Sequence, residues 1–404
     1  MTLGQIVFKS LRQHALSTAV TAGSIALAAG LLMAVWAVKA QSQQTFTQVT
    51  GGFDAVLGAR SSKLQLVLNA VFHLEASPAN IASEDFEAIR KHPAVAFAVP
   101  IAMGDNFRGY RIVGTTPDMF AVEYAPGRRL TPLKPGRLFD PTLREAVVGS
   151  FAARKLGLKP GSKFHPYHGL NFREEEEEEH EHEDEYVVVG VLEPSNTPAD
   201  RVIWIPLEGL QTMSGHAAEK ASEISAVLVK LRSPAIGAAM DQQYNKQDDR
   251  LTFAWPIGKT MADLLDKIGW FDRILALVAA LVAVVAAGSV LASIYNSMNE
   301  RRRQIALLRA LGARRRTVAA TVVFEAVAIA LIGVALGFVV YLAILTAAAR
   351  VIRAQTGVVL EALSWHPVLI WAPLVLVGLS AVAGLVPAIK AYRTEVAEHL
   401  APAH

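Results

Sequence analysis

Ten carboxylates and two imidazoles occupy the twelve positions from Glu174 to Glu185, and His165 and His168 stand just ahead of that run. Imidazole nitrogen and carboxylate oxygen together suit zinc and similar divalent cations, whereas carboxylates alone suit magnesium and calcium. The pattern nominates His165, His168, His180, His182 and Asp184 as ligands for zinc or another divalent cation. The competing account is a solvated acidic fringe with incidental histidines, because like charges repel and no apolar group anchors them. Against it, four of the eleven histidines fall within the eighteen residues from His165 to His182. The chain has no cysteine, which excludes disulfides and thiolate metal sites. No nucleophile–base pair or closed ligand set accompanies the histidines, so a catalytic metal centre is not expected.

Two other features invite chemistry and carry less of it. Glu325 is the one carboxylate inside the apolar part of a long hydrophobic stretch. Such a group is costly unless it is paired or reaches the interface, and pairing with a nearby arginine is expected in preference to a proton relay. Gly258-Lys259-Thr260 looks like the tail of a phosphate-binding loop, but that motif needs a glycine where Phe253 stands. No nucleotide site is expected here, so no ATP is bound except through a separate partner.

The elements that must position these residues follow from hydropathy and charge. Four stretches are long and apolar enough for a bilayer that takes about 20 helical residues. They are read as transmembrane helices at residues 15–38, 273–298, 318–347 and 366–389. Pro373 and Pro387 are expected to kink the last one or mark its ends. The first is too long for the apolar core of a signal peptide, which runs about 7–15 residues. Lys9 and Arg12 precede span one, seven arginines between Arg301 and Arg316 fill the link between spans two and three, and Lys390 and Arg393 follow span four. Four crossings put all three regions on one side, and the positive-inside rule makes that side the cytoplasm. The expectation is a multi-pass inner-membrane protein with both termini cytoplasmic.

Residues 39–272 then form one extracytoplasmic block. Turn signals such as Lys159-Pro160-Gly161-Ser162 separate β-branched runs such as Tyr186–Val191, and helical patterns such as Ser83–Lys91 lie between them. The fold class is therefore membrane α-helical, four transmembrane helices with one α+β periplasmic domain inserted between the first and second. The acidic, histidine-bearing loop at 165–186 interrupts a hairpin in that domain. Residues 1–14 read as an amphipathic helix on the cytoplasmic leaflet, with Leu3, Ile6, Val7 and Leu11 on one face. Residues 348–365 are expected as a short periplasmic loop and 390–404 as a cytoplasmic tail.

Residues 299–317 form the cytoplasmic link. Ile305, Leu308 and Leu311 recur at helical spacing above an arginine-rich back, and Gly312 is placed to end the helix. A short amphipathic elbow suits docking into a groove of another protein. The run from Asn299 to Val318, the following Phe324-Glu325-Ala326 and the closing Gly384-Leu-Val-Pro-Ala-Ile-Lys-Ala391 resemble the MacB/LolC/FtsX-type permease signature. Glu145-Ala-Val-Val-Gly149, Ala153-Arg-Lys-Leu-Gly157 and Val187-Val-Val-Gly-Val-Leu192 resemble the periplasmic half of the same family. The resemblance implies a non-catalytic permease subunit working in a mechanotransmission complex. Its coupling elbow would use Arg303, Ile305, Leu308, Arg309, Leu311, Gly312 and Ala313 against a separate ABC ATPase. Two ATPase copies, a second permease copy (the same chain or a homologue), a periplasmic partner protein and membrane lipid are the implied partners, and no nucleic acid. Asp54–Arg60, Leu64–Leu68, His73-Leu-Glu-Ala76 and Gly109–Pro117 further resemble a subgroup with a histidine-rich insertion associated with zinc homeostasis. Lipoprotein release, lipid transport or efflux, and activation of a periplasmic partner such as a cell-wall hydrolase are the alternative outputs.

Overall fold

The computed structural model describes residues 3–48, 50–170, 182–214, 222–267, 269–300, 314–356 and 365–393. The chain divides into two compact units, one of helices from both ends of the sequence and one formed mainly by residues 42–267.

In the helical unit, α1 (Leu3–Gln13) breaks at His14 before α2 (Ala15–Gln48) begins. The later long helices, Gly269–Glu300, Arg315–Thr356 and Val368–Arg393, complete four that are long and apolar enough to cross a membrane. All four run past the boundaries that hydropathy alone suggests, the first and third the furthest. The first continues to Gln48 and the third to Thr356, through Ala-, Gln- and Arg-rich residues that favour helix without being apolar. Pro373 and Pro387 both lie inside the last helix, so neither ends it. Glycines on the first and third long helices let their backbones meet. A Cβ added at Gly30 would lie 2.5 Å from Val340, at Gly333 2.6 Å from Ile25, and at Gly337 2.7 Å from Ala29. Small residues serve membrane helix pairs in this way because close approach strengthens dispersion contacts where lipid provides no hydrophobic drive. Glu325 is buried and accepts a hydrogen bond from the Ser10 hydroxyl of α1. The arginine pairing expected for it is thus joined or replaced by a contact with the N-terminal helix.

The other unit is built on a ten-stranded mixed sheet. Its strands are β1 (Ala55–Ala59), β2 (Val95–Phe107), β3 (Tyr110–Thr115), β4 (Glu145–Val148), β5 (Lys163–Phe164), β6 (Tyr167–His168), β7 (Tyr186–Val191), β8 (Ile203–Pro206), β9 (Ala226–Leu231) and β10 (Leu251–Ala254). The order is β10-β1-β9-β2-β3-β8-β4-β7-β5, with β6 pairing β2 off this path. Two pairs are parallel, β3 with β8 and β4 with β7. Both faces of the sheet are covered, which explains why the strands read as continuous apolar runs. One face collects Val56, Val99, Ile101, Val113, Val147, Trp204 and Leu228. The opposite face carries Leu57, Val227 and Phe253 at one end and Ile112, Val148, Tyr186 and Ile205 at the other.

Glu145 pins the start of β4. Its carboxylate takes both guanidinium arms of Arg137, one at 2.6 Å, and the Asp140 N–H at 2.9 Å. The Arg137 hydrogen bond chiefly, with burial opposing it, holds the Glu145 carboxyl below its ordinary 4.5. A carboxyl depressed on folding adds stability that is complete above its unfolded value and is lost as pH falls through the folded one. Glu145→Gln is therefore expected to cost about 2 kcal/mol at pH 7. The difference should shrink toward zero once pH falls well below 4.5, which thermal melts of both proteins at the two pH values would measure.

Candidate metal centre

The pairing of β6 with β2 sets Asp105 opposite His168 and Asn106 opposite Tyr167. Aromatic contacts and one amide hold this short strand in register. Phe107 stacks on Tyr167 with ring centroids 6.0 Å apart, and Asn106 donates its side-chain N–H to the Gly169 carbonyl at 2.9 Å. Gly169 has φ +90°, a conformation that glycine adopts without strain. Across this pair lies His182, at the far end of the acidic loop.

Asp105, His168 and His182 each bring one ligand atom to a common point, all within 4.8 Å of one another. Asp105 is fully buried and His182 nearly so, while the His168 side chain is exposed. The Asp105 Oδ1 oxygen lies 3.3 Å from His182 Nε2 and 3.4 Å from His168 Nδ1. Two donors each about 2.0–2.1 Å from one tetrahedral ion stand about 3.3 Å apart, so these separations are those of a zinc-like coordination edge. The two imidazole rings lie 5.5 Å apart at 75°, so neither stacks over the other.

His182 is held from every side. Its N–H donates to the Pro166 carbonyl at 2.9 Å, and its own carbonyl accepts from His165 Nδ1 at 3.2 Å. Its Nδ1 meets the backbone carbonyl of Ser214, a group that can only accept, so Nδ1 carries the proton. In the neutral ring Nε2 is then a bare lone pair facing the Asp105 carboxylate. Two acceptors at 3.3 Å repel unless a proton or a cation lies between them.

The residues expected from sequence are thus sorted. His168 and His182 come together, and Asp105 joins them. His165 binds the His182 carbonyl instead. Asp184 is nearly buried and forms an ion pair with Arg144, while its other oxygen accepts the Ser214 N–H at 2.6 Å. Burial raises the Asp184 carboxyl, but the Ser214 N–H and hydroxyl together with Arg144 and His182 bring the net shift below the ordinary value. His180 and the elbow residues Arg303, Ile305, Leu308, Arg309, Leu311, Gly312 and Ala313 lie outside the described residues. Asp105 escaped the sequence reading because it stands far upstream of the loop. Its signal was a lone acid ending the apolar run Val99–Met103. His73 is a further buried histidine, packed edge-on to Trp204 with centroids 5.6 Å apart. Burial first, then Arg111, pushes it down to about 3, so it stays neutral and serves packing.

Comparison with known families gives two matches. The FtsX-like permease C-terminal family matches residues 276–396 and the MacB-like periplasmic core domain matches residues 16–246. Among solved structures, the extracellular domain of the noncanonic ABC-type transporter YknZ from Gram-positive bacteria shares 16% identity, covering 50% of this chain and 99% of that one at a TM-score of 0.31. The periplasmic region of MacB from Actinobacillus actinomycetemcomitans shares 13% identity, covering 54% and 94% at a TM-score of 0.35. No curated protein matches the chain.

Proposed function

Because the chain belongs to the MacB/FtsX family of ABC-type permeases, we propose that it couples ATP hydrolysis by a separate subunit to conformational change in its periplasmic domain, within a zinc- or metal-responsive complex of the inner membrane. The family match to both the domain and the following helices carries the permease part of this reading. Gly258-Lys259-Thr260 supports a separate ATPase, since it lies in the helix Ile257–Lys267 of the sheet-bearing unit instead of in a nucleotide loop. The apolar stripe Ile305, Leu308 and Leu311 is the surface that would seat in that ATPase. Two permease copies, two ATPase copies and a periplasmic partner make up the assembly.

The metal part rests on the Asp105, His168 and His182 donor geometry. Zinc held there would draw β2, β6 and the far end of the acidic loop into one cluster. Its chemistry would be structural, with Asp105, His168 and His182 as the residues that would hold it. A metal-set domain state, read by an ATP-driven lever, accounts for a histidine-bearing loop on a permease without requiring a metal path through the spans.

Orientation provides the test. An alkaline phosphatase reporter fused after Leu210 should be active and one fused after Gly312 inactive. Activity at Gly312 would place the elbow outside the cytoplasm and end the coupling reading.

A further inference from the structure

Asp184 has the right chemistry for a ligand and the wrong place for one. Its two oxygens are engaged by Arg144 and by the Ser214 N–H. Ser214 in turn grips the same segment three times: its N–H reaches Asp184, its hydroxyl accepts the Glu183 N–H at 3.2 Å, and its carbonyl takes His182 Nδ1–H. Fixing Ser214 therefore fixes which nitrogen of His182 bears the proton. With Nδ1 protonated, Nε2 is left to ligate, and the hydrogen bond at the far nitrogen both orients the ring and raises its basicity. The Ser214 segment directly follows the helix Leu207–Gln211, whose Leu210 is buried under the sheet beside Tyr186 and Ile205.

We infer that Arg144, Asp184 and Ser214 form a positioning relay that holds His182 in its metal-accepting tautomer and links occupancy of the centre to the end of the Leu207–Gln211 helix. The inference rests on the metal reading above and adds residues that never touch the ion. Polarisation of His182 by a bound cation strengthens its Nδ1–H donation, so metal and the Ser214 contact stabilise each other. Loss of outer partners of this kind weakens metal affinity by roughly 10–100-fold while leaving the ligands in place.

Asp184→Asn is the informative change. An asparagine must turn its amide oxygen to Arg144 and so present an NH2 to the Ser214 N–H, which breaks that hydrogen bond at nearly constant volume. The full-length permease in detergent, with excess magnesium to occupy the carboxylates of the acidic run, would be titrated with cobalt(II) and followed by its visible absorption. The parent should show an intense band of low coordination number. Asp184→Asn should reach the same saturated spectrum at a midpoint roughly 10–100-fold higher. Arg144→Gln, at a side chain that is largely exposed, should shift the midpoint several-fold in the same direction. An unshifted midpoint in both variants would overturn the relay. A changed saturated spectrum in Asp184→Asn would overturn it too, because Asp184 would then be a ligand. A parent with no such band would reject the metal reading itself, and the relay with it.

Discussion

Leu308→Asp, or Leu311→Asp, should leave the permease inserted in the membrane yet unable to hold or stimulate its ATPase. In the sequence, Ile305, Leu308 and Leu311 recur at a helical spacing among arginines. A solvated loop obeying only the positive-inside rule would need the arginines and not the stripe. If the stripe seats in an apolar groove, an aspartate there must lose its water without gaining a partner. That costs about 3 kcal/mol, or roughly 100-fold in affinity. Co-purification with the ATPase should fail, and ATP turnover in the mixture should fall to that of the ATPase alone. Full recovery and stimulation of the ATPase by Leu308→Asp would show that the stripe does not dock.

The parts of this protein that were legible in its sequence are those written in one dimension. The four spans are long apolar stretches, the third carrying Glu325. Helix ends were less legible, because Ala, Gln and Arg carry a helix beyond the apolar stretch, as they do to Gln48 and Thr356. An α+β texture could be read from the β-branched runs, but the strand order could not. Pairs such as Val56 with Leu228 join residues far apart in sequence, and no local pattern encodes them. The same difficulty applied to the candidate metal centre. His168 and His182 announce themselves by composition. Asp105 joins them only through the pairing of β6 with β2. Asp184 and His165 have ligand side chains whose polar atoms are drawn off by Arg144, Ser214 and the His182 carbonyl. Residue type nominated His165, His168, His180, His182 and Asp184, and of these only His168 and His182 stand beside Asp105 among the described residues.

His182→Gln should have the largest effect of any single change in the domain, since it removes the buried nitrogen that faces Asp105. A glutamine amide is a poor ligand for zinc and cannot reproduce the lone pair of Nε2. Zinc affinity should drop more than about 100-fold, beyond the effect of an outer-sphere partner. Asp105→Asn should act in the same direction by removing the charge that balances the cation. His165→Gln should change little, because that ring binds a carbonyl. The acidic run will attract any divalent ion, so binding alone decides nothing.

The decisive measurement is zinc binding by the full-length permease under excess magnesium, made on the parent, His182→Gln and His165→Gln by competition with a chromophoric chelator. One tightly held zinc per chain is expected in the parent and in His165→Gln, and none in His182→Gln. Equal retention by the parent and His182→Gln would contradict a centre at Asp105, His168 and His182, and would leave the loop as an acidic fringe.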